Sequence, residues 1–118
     1  MVILEFSELG KKILSLDPAI RFVTIFDTKD EKILYSEHTS GTTNLLSKEE
    51  SQESLQLAIN AWKTRSKLAS KIGKGKYVLA EYEKIKRITM PFDDSHLLYI
   101  TTDIGSNSLE LIENIKKL

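Results

Sequence analysis

Alternation of hydrophobic and polar positions is clearest between Tyr77 and Asp103. Three short runs rich in β-branched and aromatic residues, 77–82, 85–92 and 96–103, are separated by two polar breaks. Short runs of this composition, bounded by turn residues, are typical of β-strands joined by tight turns. The stretch therefore predicts a three-stranded antiparallel meander.

A second group of strands is predicted nearer the N-terminus. Residues 20–27 carry largely apolar side chains at both odd and even positions, which indicates a strand covered on both faces. Residues 28–31 form a polar turn, and the shorter, more polar run Lys32–Glu37 returns. Together these segments predict a β-hairpin.

Hydrophobic residues spaced three and four positions apart predict three helices: Val2–Leu16, Ser47–Ile72 and Ser108–Leu118. Pro18 ends the first because the residue before a proline is disfavoured in the α region. Ser47 and Glu50 form a capping box at the start of the second, and Gly73 follows its end. The predicted order is helix, two strands, helix, three strands, helix, in one domain over residues 1–118.

The long helix has an apolar arc of about half its circumference, wider than packing on one sheet requires. Leu55, Ile59 and Trp62 are predicted to face the sheet. The adjoining side is predicted to form a dimer interface consisting of Leu57, Ala61, Arg65, Leu68 and Ile72. On the opposite polar face a partner-facing basic stripe is predicted, formed by Lys63, Lys67 and Lys71. The alternatives are a second side covered by another helix of the chain and a stripe that is simply solvated.

Composition excludes several kinds of chemistry. The chain has no cysteine and only two histidines, so disulfides, thiolate metal sites and thiol nucleophiles are excluded. No apolar run approaches the roughly 20 residues of a membrane span, and no basic region opens the chain as in a signal peptide. We therefore expect a cytoplasmic protein with no cofactor and no metal.

The net charge of zero hides an asymmetry. Segment 63–87 holds nine basic and two acidic residues, a net charge of +7, which the rest of the chain balances. Such a segment can bind an acidic partner or nucleic acid. Trp62, Tyr77 and Tyr82 lie in or beside it, as in single-strand nucleic-acid surfaces. Packing is the preferred role for these aromatic residues, because Trp62 lies on the apolar arc and Tyr77 begins a strand.

No catalytic site is predicted. Asp93, Asp94 and His96 are close in sequence, but they fall on a turn where aspartate is common for structural reasons. Residues 73–76, Gly-Lys-Gly-Lys, leave a helix and enter a strand, the reverse of a phosphate-binding loop. The hydroxyl-rich loop 38–46 has donors that could hold an anion, although a plain connecting loop is the preferred interpretation.

The order of elements resembles the roadblock/LC7 domain, a profilin-like sandwich. Residues 22–34 are similar to its strand–turn–strand, although the turn lacks a glycine common there, and residues 77–102 are similar to its meander. Segments 20–23, 76–89 and 96–98 also resemble a group of uncharacterised archaeal domains of the same layout. The resemblance implies an α+β fold with a single five-stranded antiparallel sheet flanked by helices.

The resemblance also implies a non-enzymatic homodimer, joined through the long helix and a sheet edge, that docks a small Ras-like GTPase or another signalling partner as a scaffold or regulator. The alternative is a PAS-like domain that senses a small molecule. A third interpretation is nucleic-acid or acidic-partner binding through segment 63–87. An enzyme is the least favoured, because no nucleophile–base pair or convergent carboxylates can be named.

Overall fold

The structure, a computed structural model, describes residues 5–39 and 45–118. Its elements are α1 (Phe6–Leu14), β1 (Ile20–Asp27), β2 (Lys32–His38), α2 (Lys48–Ser66), α3 (Ala69–Ile72), β3 (Val78–Glu81), β4 (Ile85–Pro91), β5 (His96–Asp103) and α4 (Ser108–Lys116). The predicted order is confirmed except for α3. The part of the first helix predicted at residues 2–4 lies outside the described residues.

The five strands form one sheet in the order β2-β1-β5-β4-β3, and each neighbouring pair is antiparallel. The predicted α+β class with a single five-stranded antiparallel sheet is thus confirmed. Strand β5 lies in the centre, where Tyr99 is opposite Thr24 of β1 and Thr89 of β4. Strands β2 and β3 lie at the two edges.

Helices α1 and α4 cover one face of the sheet, which we call the α1/α4 face. The main core lies here, because alternate residues of the three inner strands meet the apolar stripes of both helices. Its buried members are Leu9, Ile13, Ile20, Val23, Ile25, Ile88, Met90, Leu98, Ile100, Leu111, Ile112 and Ile115. The core contains residues distant in sequence and does not include α2.

Helix α1 approaches the sheet closely at Gly10. A Cβ atom built on Gly10 would lie 2.6 Å from Cζ of Tyr35 and closer still to two other ring atoms. The glycine therefore leaves room for the aromatic ring of β2 under the helix. The ring is partly buried, and its hydroxyl donates a 2.5 Å hydrogen bond to Glu37. Burial, aided by this contact, raises the pKa of Tyr35 to about 12.

The opposite face, which we call the α2 face, has a much smaller apolar core. Phe26, Leu97 and Ile59 form a buried cluster, with Leu55 and Trp62 packed against it. Away from this cluster, the α2 face carries polar residues of the inner strands: Thr24, Arg87, Thr89, Tyr99 and Thr101. Apolar packing thus holds α2 at one end of the sheet.

The turn between β1 and β2, residues 28–31, contains no glycine. The carboxylate of Asp27 accepts hydrogen bonds from the N–H groups of Lys29 (2.9 Å) and Asp30 (3.0 Å). The bond from Asp30 is the main cause that lowers the pKa of Asp27. Glu31 then takes a left-handed conformation with φ of 53°, which costs a residue with a Cβ roughly 1–2 kcal/mol.

Candidate interaction surface

Helix α2 begins as its sequence predicts. The Ser47 hydroxyl accepts the N–H of Glu50 at 3.1 Å, and the Glu50 carboxylate accepts the N–H of Ser47 at 2.9 Å. Both hydrogen bonds of the capping box are therefore present. These bonds to Ser47 lower the pKa of Glu50.

The prediction of one continuous helix to Ile72 is wrong. Helix α2 ends at Ser66, and the short helix α3 follows from Ala69 to Ile72. The Ser66 hydroxyl donates to the carbonyl of Trp62 at 2.8 Å, a bond that competes with the helical ladder and favours bending. Gly73 still ends the helical segment, with a positive φ of 92°.

The sheet-facing side of α2 is as predicted. Ile59 is 2% exposed and is the one fully buried residue of the helix. Leu55 and Trp62 lie beside it on the cluster formed by Phe26 and Leu97. Nineteen residues of helix are thus attached to the sheet through a single buried side chain and its half-buried neighbours, which leaves much apolar surface on α2 uncovered.

The residues predicted for the dimer interface lie on that uncovered side. Leu57 is 68%, Leu68 52% and Ile72 79% exposed; Arg65 is exposed and Ala61 is half-buried. Because of the break after Ser66, Leu68 and Ile72 belong to the α3 segment rather than to α2. The protomer covers none of the large apolar members, so their role in a dimer stays a prediction.

Strand β3 continues this surface across the sheet edge. It pairs only with β4, so the other side of its backbone has no strand neighbour within the described chain. Tyr82 (51% exposed) adds apolar area on the α2 side, whereas Leu79 is opposite Ile88 and faces the other side of the sheet. A groove of about 180 Å³ lies between α2 and β3, with Leu57, Ala61 and Arg65 on the helix side and Val78 and Ala80 on the strand side. Sequence reasoning did not identify Tyr82 as part of the surface.

The floor of the groove is polar. The Tyr99 and Ser54 hydroxyls are 2.8 Å apart, and burial raises the pKa of Tyr99. The Arg87 guanidinium lies over the Tyr82 ring, 5.3 Å from its centroid. The groove therefore combines apolar walls with hydrogen-bonding groups that fix its base.

The predicted basic stripe does not run along one helix. Lys63 lies on α2, Lys67 caps its C-terminus and Lys71 lies on α3. Lys63 pairs with the carboxylate of Glu31 in the β1–β2 turn, and this contact lowers the pKa of Glu31. Lys67 and Lys71 are exposed and make no ion pair within the described residues. The idea that the three lysines meet a partner stays a prediction, and Lys63 is already engaged.

Other cations of segment 63–87 are also used within the fold. Lys86 donates to the carbonyl of Ser106 at 3.0 Å and lies 3.7 Å from Glu81. The exposed Lys74 lies 3.6 Å from Asp94. Part of the +7 charge is therefore balanced by nearby carboxylates of the same chain.

The Asp93–His96 segment forms a structural turn. Asp93 accepts the N–H of Ser95 at 2.8 Å and lies 2.7 Å from Nδ1 of His96. Partial burial alone would raise the pKa of Asp93, but these two contacts outweigh it and the pKa is lowered. The His96 ring stacks on Phe6 of α1, with centroids 4.5 Å apart.

Two classes of site lack a structural basis in residues 5–39 and 45–118. This part of the chain has no helix with the length and apolar character needed to cross a membrane. It also has no group of three or more acidic or histidine side chains placed to hold a metal ion. Most of the hydroxyl-rich loop predicted at 38–46 lies outside the described residues.

An antiparallel five-stranded sheet in the order 2-1-5-4-3, with two helices on one face and a long helix on the other, defines an α+β sandwich. This is a roadblock/LC7-like fold. The structure matches the roadblock/LC7 domain from Streptomyces avermitilis with a TM-score of 0.71 at 9% identity, covering 98% of this chain and 91% of that one. The predicted resemblance in fold is confirmed.

Two MglB structures are similar to the same extent. The match to the gliding protein MglB from Thermus thermophilus has a TM-score of 0.70 at 15% identity, over 94% of this chain and 79% of that one. The match to Myxococcus xanthus MglB has a TM-score of 0.69 at 15% identity, over 97% and 89%. No protein-family model and no curated protein matches the sequence. The likeness is therefore one of fold.

Proposed function

We propose that the protein is a non-enzymatic interaction module that works as a homodimer, joined through α2, α3 and the free edge of β3. The observation that carries this proposal is the continuous apolar surface formed by Leu57, Leu68, Ile72 and Tyr82. All four are between 51% and 79% exposed in the protomer. Large exposed apolar patches of this kind are typical of protein interfaces.

A second copy of the chain fits this surface in shape. The free β3 edge offers unpaired backbone N–H and C=O groups, and an identical edge can pair with it. A twofold axis would then bring the two α2 helices side by side in opposite directions. One structure of similar fold, at 13% identity and a TM-score of 0.67, is an MglB with a tetrameric arrangement, which supports self-association as a use of this fold.

The charges of α2 also favour an antiparallel pair. The first turns of α2 carry Glu49, Glu50 and Glu53, whereas its end and the following turns are basic. Glu53, Leu57, Ala61 and Arg65 form one row at intervals of four residues. In an antiparallel pair centred between Leu57 and Ala61, Glu53 of one protomer would face Arg65 of the partner subunit. The spacing of this row is visible in the sequence. Only the structure shows that Glu53, Leu57 and Arg65 are exposed.

The molar mass in solution, measured by size-exclusion chromatography with light scattering at low and high salt, tests the dimer. We expect a dimer that persists at high salt, because apolar burial is not screened. Leu68→Glu should give a folded monomer, since Leu68 is half-exposed and its replacement leaves the core intact. A monomeric wild-type protein, or a Leu68→Glu variant that remains dimeric, would contradict the proposed interface.

Charge reversal tests the antiparallel arrangement separately. Glu53→Arg and Arg65→Glu should each weaken the dimer by about 3- to 30-fold, since two symmetry-related exposed pairs become repulsive. The double variant should recover most of this loss. If both single variants are neutral while the wild type is a dimer, the dimer exists but its helices pack differently.

For the partner, we infer a small Ras-like GTPase or another signalling protein, as the resemblance implies. The exposed Lys67 and Lys71 lie beside the dimer surface and make a basic contact area for an acidic region of the partner. Titration with small Ras-like GTPases of the same organism, loaded with GDP or a GTP analogue, tests this idea. Lys67→Glu/Lys71→Glu should weaken binding and leave the dimer intact, whereas Lys12→Glu on α1 should have no effect. Equal binding by both variants would refute a role for these lysines.

A further inference from the structure

A second cavity lies at the other end of the α2 face, where the start of α2 passes over β1 and β4. Its volume is about 60 Å³. Three of its lining residues carry basic groups, Arg21, His38 and Arg87, and three carry hydroxyls, Ser51, Tyr99 and Thr101. None of the described residues that line the cavity is acidic. The concentration of hydrogen-bond donors and positive charge in one small cavity indicates a negatively charged ligand.

Arg87 is the central member of this group. It lies on β4 directly opposite Thr101 of β5, in the interior of the sheet. Its side chain is partly buried, and its Nε atom is inaccessible to solvent and has no hydrogen-bond partner among the described residues. No carboxylate forms an ion pair with it in this part of the chain, and the group packed against its guanidinium is the ring of Tyr82. An inaccessible guanidinium donor without a partner is uncommon and energetically costly.

The neighbouring basic residues have different surroundings. Arg21 reaches Asp103 with Nη1 at 2.8 Å, so its charge is partly balanced at the edge of the cavity. His38 stacks on Phe22, with ring centroids 4.4 Å apart. Ser51 belongs to the first turns of α2 and contributes a hydroxyl. Arg21 and Arg87 therefore supply the formal positive charge at the cavity, and Arg87 provides the inaccessible donor.

We propose that this cavity binds a small oxyanion, the phosphate or carboxylate group of a small molecule, with Arg87 as its principal ligand. A guanidinium presents two parallel N–H groups that match two oxygens of such a group. A water molecule needs about 10–15 Å³ of cavity volume. A cavity of about 60 Å³ therefore has room for about four to six non-hydrogen atoms, which is the size of a phosphate group. The cavity adjoins the groove between α2 and β3, with which it shares Arg87 and Tyr99, but its test measures anion binding directly and does not require the dimer.

The test is isothermal titration calorimetry of the full chain with inorganic phosphate and, separately, with acetate, at constant ionic strength set by chloride. We expect saturable binding of one of the two anions to the wild-type protein, and the better anion identifies the chemistry of the ligand. Arg87→Gln should weaken that binding by at least about tenfold, because a hydrogen bond to a charged group is lost. Arg87→Lys should bind with intermediate affinity, because it keeps the charge and loses the paired N–H groups.

Lys84→Gln is the matched control, since it removes one positive charge from an exposed position near Arg87 and outside the cavity. It should bind the anion as the wild type does. If Arg87→Gln does not fold, as judged by circular dichroism, Ser51→Ala serves instead and should weaken binding several-fold. Absence of saturable binding to the wild type would overturn the proposal. Equal binding by the wild type and the Arg87 or Ser51 variant would overturn it as well, since it would indicate an adventitious ion only.

Discussion

Replacement of Leu57 by alanine should weaken the proposed dimer strongly and leave the protomer almost unchanged. Leu57 is 68% exposed in the protomer. Fully burying a leucine side chain is worth about 1.5–3 kcal/mol, so covering the exposed fraction contributes about 1–2 kcal/mol. A symmetric dimer contains this contact twice, so the loss is about 2–4 kcal/mol and the dissociation constant should rise by about 30- to 700-fold.

Sedimentation velocity over a concentration series measures this change directly. Leu109→Ala is the matched control, because Leu109 is also a helical leucine, 59% exposed, but lies on α4 away from α2 and β3. We expect the control to dimerise as the wild type does. If Leu57→Ala changes the dissociation constant no more than Leu109→Ala, the exposed side of α2 is not the dimer surface and the reasoning from exposure fails.

Three further predictions concern the protomer. Gly10→Ala should lower the free energy of unfolding by about 1–3 kcal/mol, because its new Cβ meets the Tyr35 ring; urea denaturation should show this loss, and a Tyr35→Ala background should reduce it. Ile59→Ala should cost about 2–5 kcal/mol, because it empties the one fully buried position of α2, and the fluorescence of Trp62, the single tryptophan, should report a loosened helix before global unfolding. The pKa of Asp93 is lowered from 3.8, so its stabilising contribution is present above pH 3.8 and is lost as the pH falls through the lower folded value; Asp93→Asn should make stability less dependent on pH there, and an unchanged acid profile would contradict this role.

Much of the fold could be predicted because its signals are local. The capping box at Ser47 depends on residues within one turn, and both of its hydrogen bonds form as predicted. The runs that predict β1, β4 and β5 are bounded by turn residues, so their limits match the observed strands closely. Such signals depend on backbone chemistry that adjacent residues determine, and they need no knowledge of tertiary contacts.

The end of the long helix shows where this approach fails. Hydrophobic spacing continues through Leu68 and Ile72 and predicts an unbroken helix, yet α2 stops at Ser66. The spacing of hydrophobic residues shows which positions share one side of a helix. It does not show that the Ser66 hydroxyl bonds to the backbone carbonyl of Trp62 and competes with the helical hydrogen bonds. Because of the same break, Lys67 is the C-cap of α2 and Lys71 belongs to α3, so the evenly spaced lysines of the sequence do not form one stripe along a single helix.

The anion cavity was beyond sequence reasoning for a different reason. Arg21, His38, Ser51 and Arg87 are far apart along the chain, and each by itself looks like an ordinary surface residue. They meet because β1 and β4 flank the central strand β5 and because α2 starts above them. Only strand pairing between distant segments could bring these side chains together.

The sequence alone thus determined the order of elements, the sheet-facing residues of α2 and the absence of cysteine chemistry, since each follows from local pattern or composition. Tertiary structure decided which apolar residues stay uncovered, which lysines are already paired and which cations share a cavity. These properties depend on the order of strands in the sheet and on where α2 is anchored. Both are set by contacts between residues distant in sequence, which periodicity does not encode.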